Sequence, residues 1–298
     1  MSLSLGTLNF DYSSVSEAFD QEKVNRILDI CLHNGITKID TASYYANAEK
    51  MLGKYHKINS FTISSKANPW KNGDFSTGEY GNASYDNIIL QFEKTLSDLR
   101  VNSVYEYYLH AWDYFTPIEE TLRAFDFLYK QKKIHNFGVC NLSIQQMNEI
   151  LTTCDRYGYN KPNVYQGLYN VYCRKIEEII PLLTQNGIKL QAYNPLAGGI
   201  LTGKYYNKKL DFNCRFYNNK IYKNIFWNEE IIKNTKNLTA SMCINWLKDK
   251  CDTIIIGISN EHQLDDIIQC SKNTLEQDEL IDTFYNDIKH LPVPDYWY

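Results

Sequence analysis

Short apolar runs and amphipathic stretches alternate along this chain from one end to the other, and eight of the runs have strand length. They are Leu3–Leu8, Ile36–Asp40, Phe61–Lys66, Val104–His110, Ile134–Val139, Asn163–Gln166, Ile188–Tyr193 and Thr253–Ile256. Repeated strand–helix units return the chain to the same edge each time, which makes the sheet parallel, and eight such units can close on themselves. The intervening segments read as helices with one buried face. Val24, Ile27, Leu28, Cys31 and Leu32 follow the helical i, i+3, i+4, i+7 period. Ser84 caps a second stripe of Ile88, Ile89, Phe92, Leu96 and Leu99. Thr116-Pro117-Ile118-Glu119 and Ser143 with Gln146 predict capping boxes. Further helices are expected over 46–56, 174–186, 239–250 and from about 260 onward, with an extra outer helix over 276–290.

The expected fold is therefore α/β, a single (β/α)8 TIM barrel over residues 1–298, with an extra C-terminal helix. One connection is too long for a simple turn: 194–238, after the seventh strand. It begins Gly-rich ("NPLAGGILTGKY") and turns aromatic ("RFYNNKIYKNIFW"), the composition of an ordered binding loop rather than of disorder.

The ends of the runs carry the chemistry. They close on Asp40, Lys66 and His110, with Tyr45 five positions beyond Asp40. Titratable residues at the C-terminal ends of barrel strands gather at one mouth, where catalysis is sited in this architecture. A tyrosine ionises near pH 10, too high for an efficient acid at neutral pH; a neighbouring Lys66 ammonium, held by Asp40, is expected to lower it. His110 can donate to an oxygen that gains negative charge. No nucleophile–base pair or metal-ligand cluster appears, so the group attacking a carbonyl carbon is most simply a hydride from a cofactor. Asn141 and Gln166 could bind a carboxamide and Tyr193 could stack on a flat ring. Gly198, Gly199 and Gly203, with Lys204, could approach phosphates, and the helix starting near 260 offers free N–H groups. Taken singly, a strand-end His is more often structural and a glycine more often a plain turn.

Composition removes other classes. The formal net charge of −4 carries no basic stripe for nucleic acid, and no apolar stretch is long enough to span a bilayer. "MSLSLGTLNF" lacks the basic start and apolar block of a signal peptide. The eight cysteines are scattered without a CxxC, which points to free thiols in a reducing cytoplasm.

The segments "IDTASYY", "SSKANPW", "YLHAWD", "GVCN", "VYQGLYN", "AYNPLAGGILTGKY" and "RFYNN…YKNIFW" occur in the order seen in aldo-keto reductases. The chain most resembles the aflatoxin-aldehyde (succinic semialdehyde) reductase branch. That resemblance implies a barrel using NADPH without a Rossmann domain, with NAD(H) also open, and a small carbonyl substrate. It implies a catalytic tetrad of Asp40, Tyr45, Lys66 and His110, with Tyr45 as general acid. Cys140, Asn141 and Gln166 match the carboxamide contacts, and Tyr193 with Asn194 the ring side. Leu196, Gly198 and Lys204 match the pyrophosphate loop; Arg215, Ser259 and Gln263 match the adenosine end. Cys140 stands where the family usually has Ser, Ile267 where it often has Asn, and Gln263 where many members place an Arg on the 2′-phosphate; Arg215 or Lys220 is a substitute charge.

Two arginines that hold the substrate carboxylate in this branch are replaced by Ile225 and Tyr298, which predicts a preference for neutral substrates. Trp70, Tyr169, Tyr222, Trp227 and Tyr298 are candidate pocket walls, with loop packing as the equal alternative. Members of the branch are often homodimers. A second function class, a nicotinamide-binding regulatory subunit like potassium-channel β-subunits, is carried alongside the enzyme; a decayed enzyme is the third.

Overall fold

Each of the eight expected runs forms a strand of a closed parallel barrel in the order β1-β2-β3-β4-β5-β6-β7-β8. The computed structural model describes residues 1–10, 19–71, 78–210, 215–272 and 278–292. The strands are β1 (Ser2–Gly6), β2 (Lys38–Asp40), β3 (Thr62–Ala67), β4 (Val104–Leu109), β5 (Ile134–Cys140), β6 (Val164–Leu168), β7 (Lys189–Tyr193) and β8 (Thr253–Gly257). Closure is made by β1 on β8, with Ser2 opposite Thr253 and Gly6 opposite Gly257.

The helices are α1 (Gln21–His33), α2 (Ala48–Gly53), α3 (Tyr85–Leu99), α4 (Ile118–Lys130), α5 (Ile144–Tyr157) and α6 (Ile180–Gln185). Then come α7 (Arg215–Asn218), α8 (Lys220–Phe226), α9 (Glu229–Asn234), α10 (Ala240–Leu247), α11 (Glu261–Lys272) and α12 (Asp278–Ile288). Ser84 accepts from Asn87 N at the head of α3, and Ser143 with Gln146 forms the reciprocal capping box of α5. The box expected at Thr116 does not form. Pro117 takes the cap position of α4, because the Thr116 hydroxyl donates to Asp113 Oδ2 at 2.8 Å. Glu119 accepts instead from the Tyr159 hydroxyl at 2.8 Å.

The long connection after β7 is ordered over its described part, as its aromatic content predicts. It carries a 3-10 segment (Ala197–Thr202) and the short helices α7, α8 and α9, with Phe216 and Phe226 buried. Its buried aromatic surface holds these short helices down, since none is long enough to be stable alone.

Strand alternation sorts the core. Outward-facing Leu5, Ile39, Ile63, Leu109, Val139 and Ile254 join the helices in one apolar layer. The barrel interior is polar where branched apolar residues are usual. Glu106 on β4 is bonded to Gln191 on β7 at 2.9 Å, and Asp40 on β2 to Gln166 on β6 at 2.8 Å. Strands that far apart in a closed barrel meet only through its centre. Space there is tight: a Cβ on Gly138 would lie 2.3 Å from the Tyr108 ring. Gly138→Ala is expected to cost about 1–3 kcal/mol by displacing that ring. Urea unfolding monitored by circular dichroism would read the loss as a lower midpoint.

Candidate active site

The mouth of the barrel is built from β2, β3 and β4. Lys66, one residue before the end of β3, is fully buried and donates to Asp40 Oδ1 at 2.6 Å and to the Thr41 carbonyl at 2.8 Å. Asp40 Oδ2 accepts from Gln166 Nε2 at 2.8 Å. A buried ammonium and carboxylate in such contact neutralise each other, so neither is left as a lone charge away from water. Tyr45 follows on the loop after β2, with its ring 5.9 Å from that of His110 and 5.2 Å from Lys66 Nζ. The four residues are thus within one cluster.

Their electrostatics differ from expectation at one point. Tyr45 is held well above the ordinary tyrosine value of 10.0, first by burial and then by Asp40. The net lowering expected from Lys66 is overturned, because burial and then the Asp40 carboxylate outweigh the ammonium 5.2 Å from the ring. Tyr45 is therefore a firmly protonated hydroxyl. Burial, and then Lys66, push His110 well below 6.5, so its imidazole is neutral at physiological pH.

Trp70 packs on His110 at 5.2 Å between ring centroids, and Tyr44 lies 5.4 Å from Trp70 and 6.3 Å from His110. Tyr44 was missed in the sequence because consecutive loop residues obey no face rule. Its only signal is its place in "ASYYA".

Next to His110, Asn141 sits directly after β5 with φ +59°. Its Nδ2 donates to the His110 carbonyl at 3.2 Å, and its Oδ1 accepts from the Tyr193 hydroxyl at 2.8 Å. Cys140, the last residue of β5, is buried with Tyr108 and Val164 inside the barrel, and burial raises its thiol well above the usual range. It pairs in register with Gln166 of β6.

Beside this cluster lies a cavity of about 540 Å³ whose walls include Asn194, Leu196, Gly198, Gly199, Lys204, Ser259, Gln263 and Ile267. Gly198 and Gly199 have φ of +66° and +98°, and a Cβ on Gly199 would come within 2.8 Å of Lys204 Nζ. At Gly198 and Gly199 the wall is thus backbone beside one ammonium, a surface suited to phosphate. Asn260 caps α11 by accepting from Gln263 N at 2.9 Å, and Gln263 Oε1 accepts from Ser259 N at 2.9 Å. Tyr205, Asn260 and Asp266 also line the cavity and were not anticipated. Lys204 is its only lysine or arginine among the described residues.

The expected aromatic wall is divided. Tyr222 belongs to the site, donating to Asn194 Oδ1 at 2.9 Å. Tyr169 does not: its ring packs on Trp246 of α10 at 5.3 Å and its hydroxyl donates to Glu177 at 2.8 Å, both outside the barrel. Trp227 packs with Tyr205 and Phe216, each at 5.4 Å, within the long connection. Tyr298 and the side chain of Arg215 lie outside the described residues. Among the described residues no group of His, Cys, Asp or Glu is arranged to hold a metal, and no helix is long and apolar enough to cross a membrane.

This geometry can protonate a carbonyl oxygen beside a cleft lined by glycines and a lysine. The sequence pattern of the aldo/keto reductase family matches residues 2–283. The chain belongs to the aldo/keto reductase family. The reductase is 31% identical to aflatoxin B1 aldehyde reductase member 2 of Mus musculus, over 89% of this chain and 80% of the mouse protein. It is 28% identical to a probable voltage-gated potassium channel subunit beta of Arabidopsis thaliana, over 88% of this chain and 86% of that one. In fold it is similar to a thermostable aldo-keto reductase crystallised with the inhibitor epalrestat, with a TM-score of 0.70, 24% identity, and 96% and 94% of the two chains covered. The reductase is an oxidoreductase of carbonyl compounds, from a family that uses nicotinamide cofactors.

Proposed function

We propose that this reductase converts small neutral aldehydes, ketones or dicarbonyls to alcohols with NADPH, using Tyr45 as the general acid. The observation that carries the proposal is the cluster of protonated Tyr45, neutral His110 and the Lys66–Asp40 pair beside a cleft of about 540 Å³. The residues present fit a nicotinamide dinucleotide. The glycine-and-lysine wall of Leu196, Gly198, Gly199 and Lys204 would hold the pyrophosphate. Asn141 and Gln166 would hold the carboxamide, Tyr193 the ring, and Ser259 with Gln263 the adenosine end. The cofactor supplies the hydride that no side chain can.

His110 donates to the carbonyl oxygen, and Tyr45 releases its proton to that oxygen as charge develops there. Lys66, kept charged by Asp40, stabilises the tyrosinate left behind. Lys204, the single ammonium of the cleft among the described residues, with Asp266 on the same wall, leaves NAD(H) as an alternative cofactor.

The substrate reading rests on Ile225, a partly buried apolar side chain of α8 where the branch places a carboxylate-binding arginine. Without that partner an acidic substrate gains no charge-assisted bond. The testing assay is NADPH oxidation, followed by absorbance, with 4-nitrobenzaldehyde, succinic semialdehyde and an uncharged analogue. Turnover of the neutral aldehydes at least as efficient as that of the acid is expected. A strong preference for succinic semialdehyde would contradict the substrate class; bound cofactor with negligible turnover would favour the regulatory-subunit reading.

The proton positions set a pH dependence. A tyrosine held above 10.0 stays protonated in the alkaline range, and a histidine held below 6.5 stays neutral in the acid one. Reductive kcat is expected to be flat from about pH 6.5 to about pH 9. A titration near neutrality that is lost in Tyr45→Phe would contradict this.

A further inference from the structure

Among the described residues the polar interior below the mouth holds the carboxylates of Asp40 and Glu106 and the ammonium groups of Lys66 and Lys38. Lys66 is consumed by Asp40 at 2.6 Å. The second carboxylate, Glu106, is buried one interior layer deeper, and its Oε2 accepts from the Tyr108 hydroxyl at 2.7 Å, Ser64 Oγ at 2.8 Å and Gln191 Nε2 at 2.9 Å. Three donors on one oxygen are what a carboxylate asks for. Burial, and then Glu106, hold the Tyr108 proton in place, so that hydroxyl donates.

Among the described residues no cation forms an ion pair with Glu106. The Lys38 ammonium turns instead to Ser2 Oγ at 2.9 Å and Thr253 Oγ1 at 3.4 Å. Gln191 continues the chain, its Oε1 lying 3.5 Å from Gln166 Nε2, which donates to Asp40 at 2.8 Å. Glu106 is thus wired to the floor of the mouth as a hydrogen-bonded carboxyl group without an ion-pair partner among the described residues.

We propose that Glu106 is a positioning residue whose carboxylate, held by hydrogen bonds and not by an ion pair, favours the oxidised over the reduced nicotinamide cofactor, and so favours hydride donation. The inference rests on the nicotinamide reading above. Its chemistry is simple: loss of hydride turns a neutral dihydropyridine ring into a pyridinium cation. A fixed negative charge in a dry cup stabilises the cation and not the neutral ring. The hydrogen bonds to Gln191 and Gln166 act on both forms alike, so the charge is separable from the contacts.

The test uses the full chain and measures dissociation constants for NADP+ and NADPH by isothermal titration calorimetry. Glu106→Gln keeps the shape and removes the charge. The ratio of the NADP+ to the NADPH constant is expected to rise roughly five- to twentyfold. Glu106→Asp, which retains the charge, is expected to stay near the wild-type ratio. Should the amide variant fail to fold, Glu106→Met carries the same measurement. An unchanged ratio, with both forms weakened equally, would assign Glu106 a purely structural role and overturn the proposal. A wild-type protein that binds neither form would overturn the nicotinamide reading itself.

Discussion

Replacing Tyr45 with Phe is expected to lower kcat for aldehyde reduction by roughly 10²- to 10⁴-fold, the range of a lost general acid. The change removes one hydroxyl and leaves the ring packed at 5.9 Å from His110 and under Lys66, so the site keeps its shape. Cofactor affinity is therefore expected to be unchanged. Undiminished turnover in the variant would remove Tyr45 from the reaction. A comparable loss in both turnover and cofactor affinity would make its role structural.

The second large effect is at Lys66. Lys66→Met leaves Asp40 as a buried charge with only the Gln166 amide bonded to it. Stranding one member of a buried pair costs about 3–5 kcal/mol. Aldehyde reduction is expected to be abolished, since nothing then stabilises a tyrosinate at Tyr45. Pairing Lys66→Met with Asp40→Asn is expected to restore most of the stability, because Asn can still accept from Gln166, and none of the activity. Denaturant unfolding beside initial rates for the three variants reads both. Equal stability for Lys66→Met and the double variant would show that the ion pair is not what makes the single change costly.

The barrel was legible because each strand and helix imprints a local period, and closing eight parallel units leaves few alternatives. The tetrad was legible for the same reason: Asp40, Lys66 and His110 each end an apolar run. The direction of the Tyr45 shift was not, since it depends on how deeply the folded chain buries the hydroxyl and on Asp40 lying near it. Thr116 misled because Asp113, three residues before it, competes for its hydroxyl.

Two misses were readable by parity. Counting from inward-facing Gln166, Tyr169 falls on the outward side, where it packs on Trp246. Counting back from His110, Tyr108 and Glu106 fall on the inward side, so the buried acid was visible in "VYEYYLH". Tyr205 and Asp266 come to the cleft from segments about 60 residues apart, and no local pattern joins them.

The central claim is hydride transfer to a carbonyl carbon with the proton taken from Tyr45. Its most direct test is incubation of the protein with 4-nitrobenzaldehyde and NADPH deuterated on the transferred face of C4, with mass analysis of the alcohol. One deuterium on the benzylic carbon is expected for the wild type, formed far more slowly by Tyr45→Phe. Alcohol formed without deuterium, with label on either C4 face, or no alcohol from cofactor-loaded protein, would contradict it.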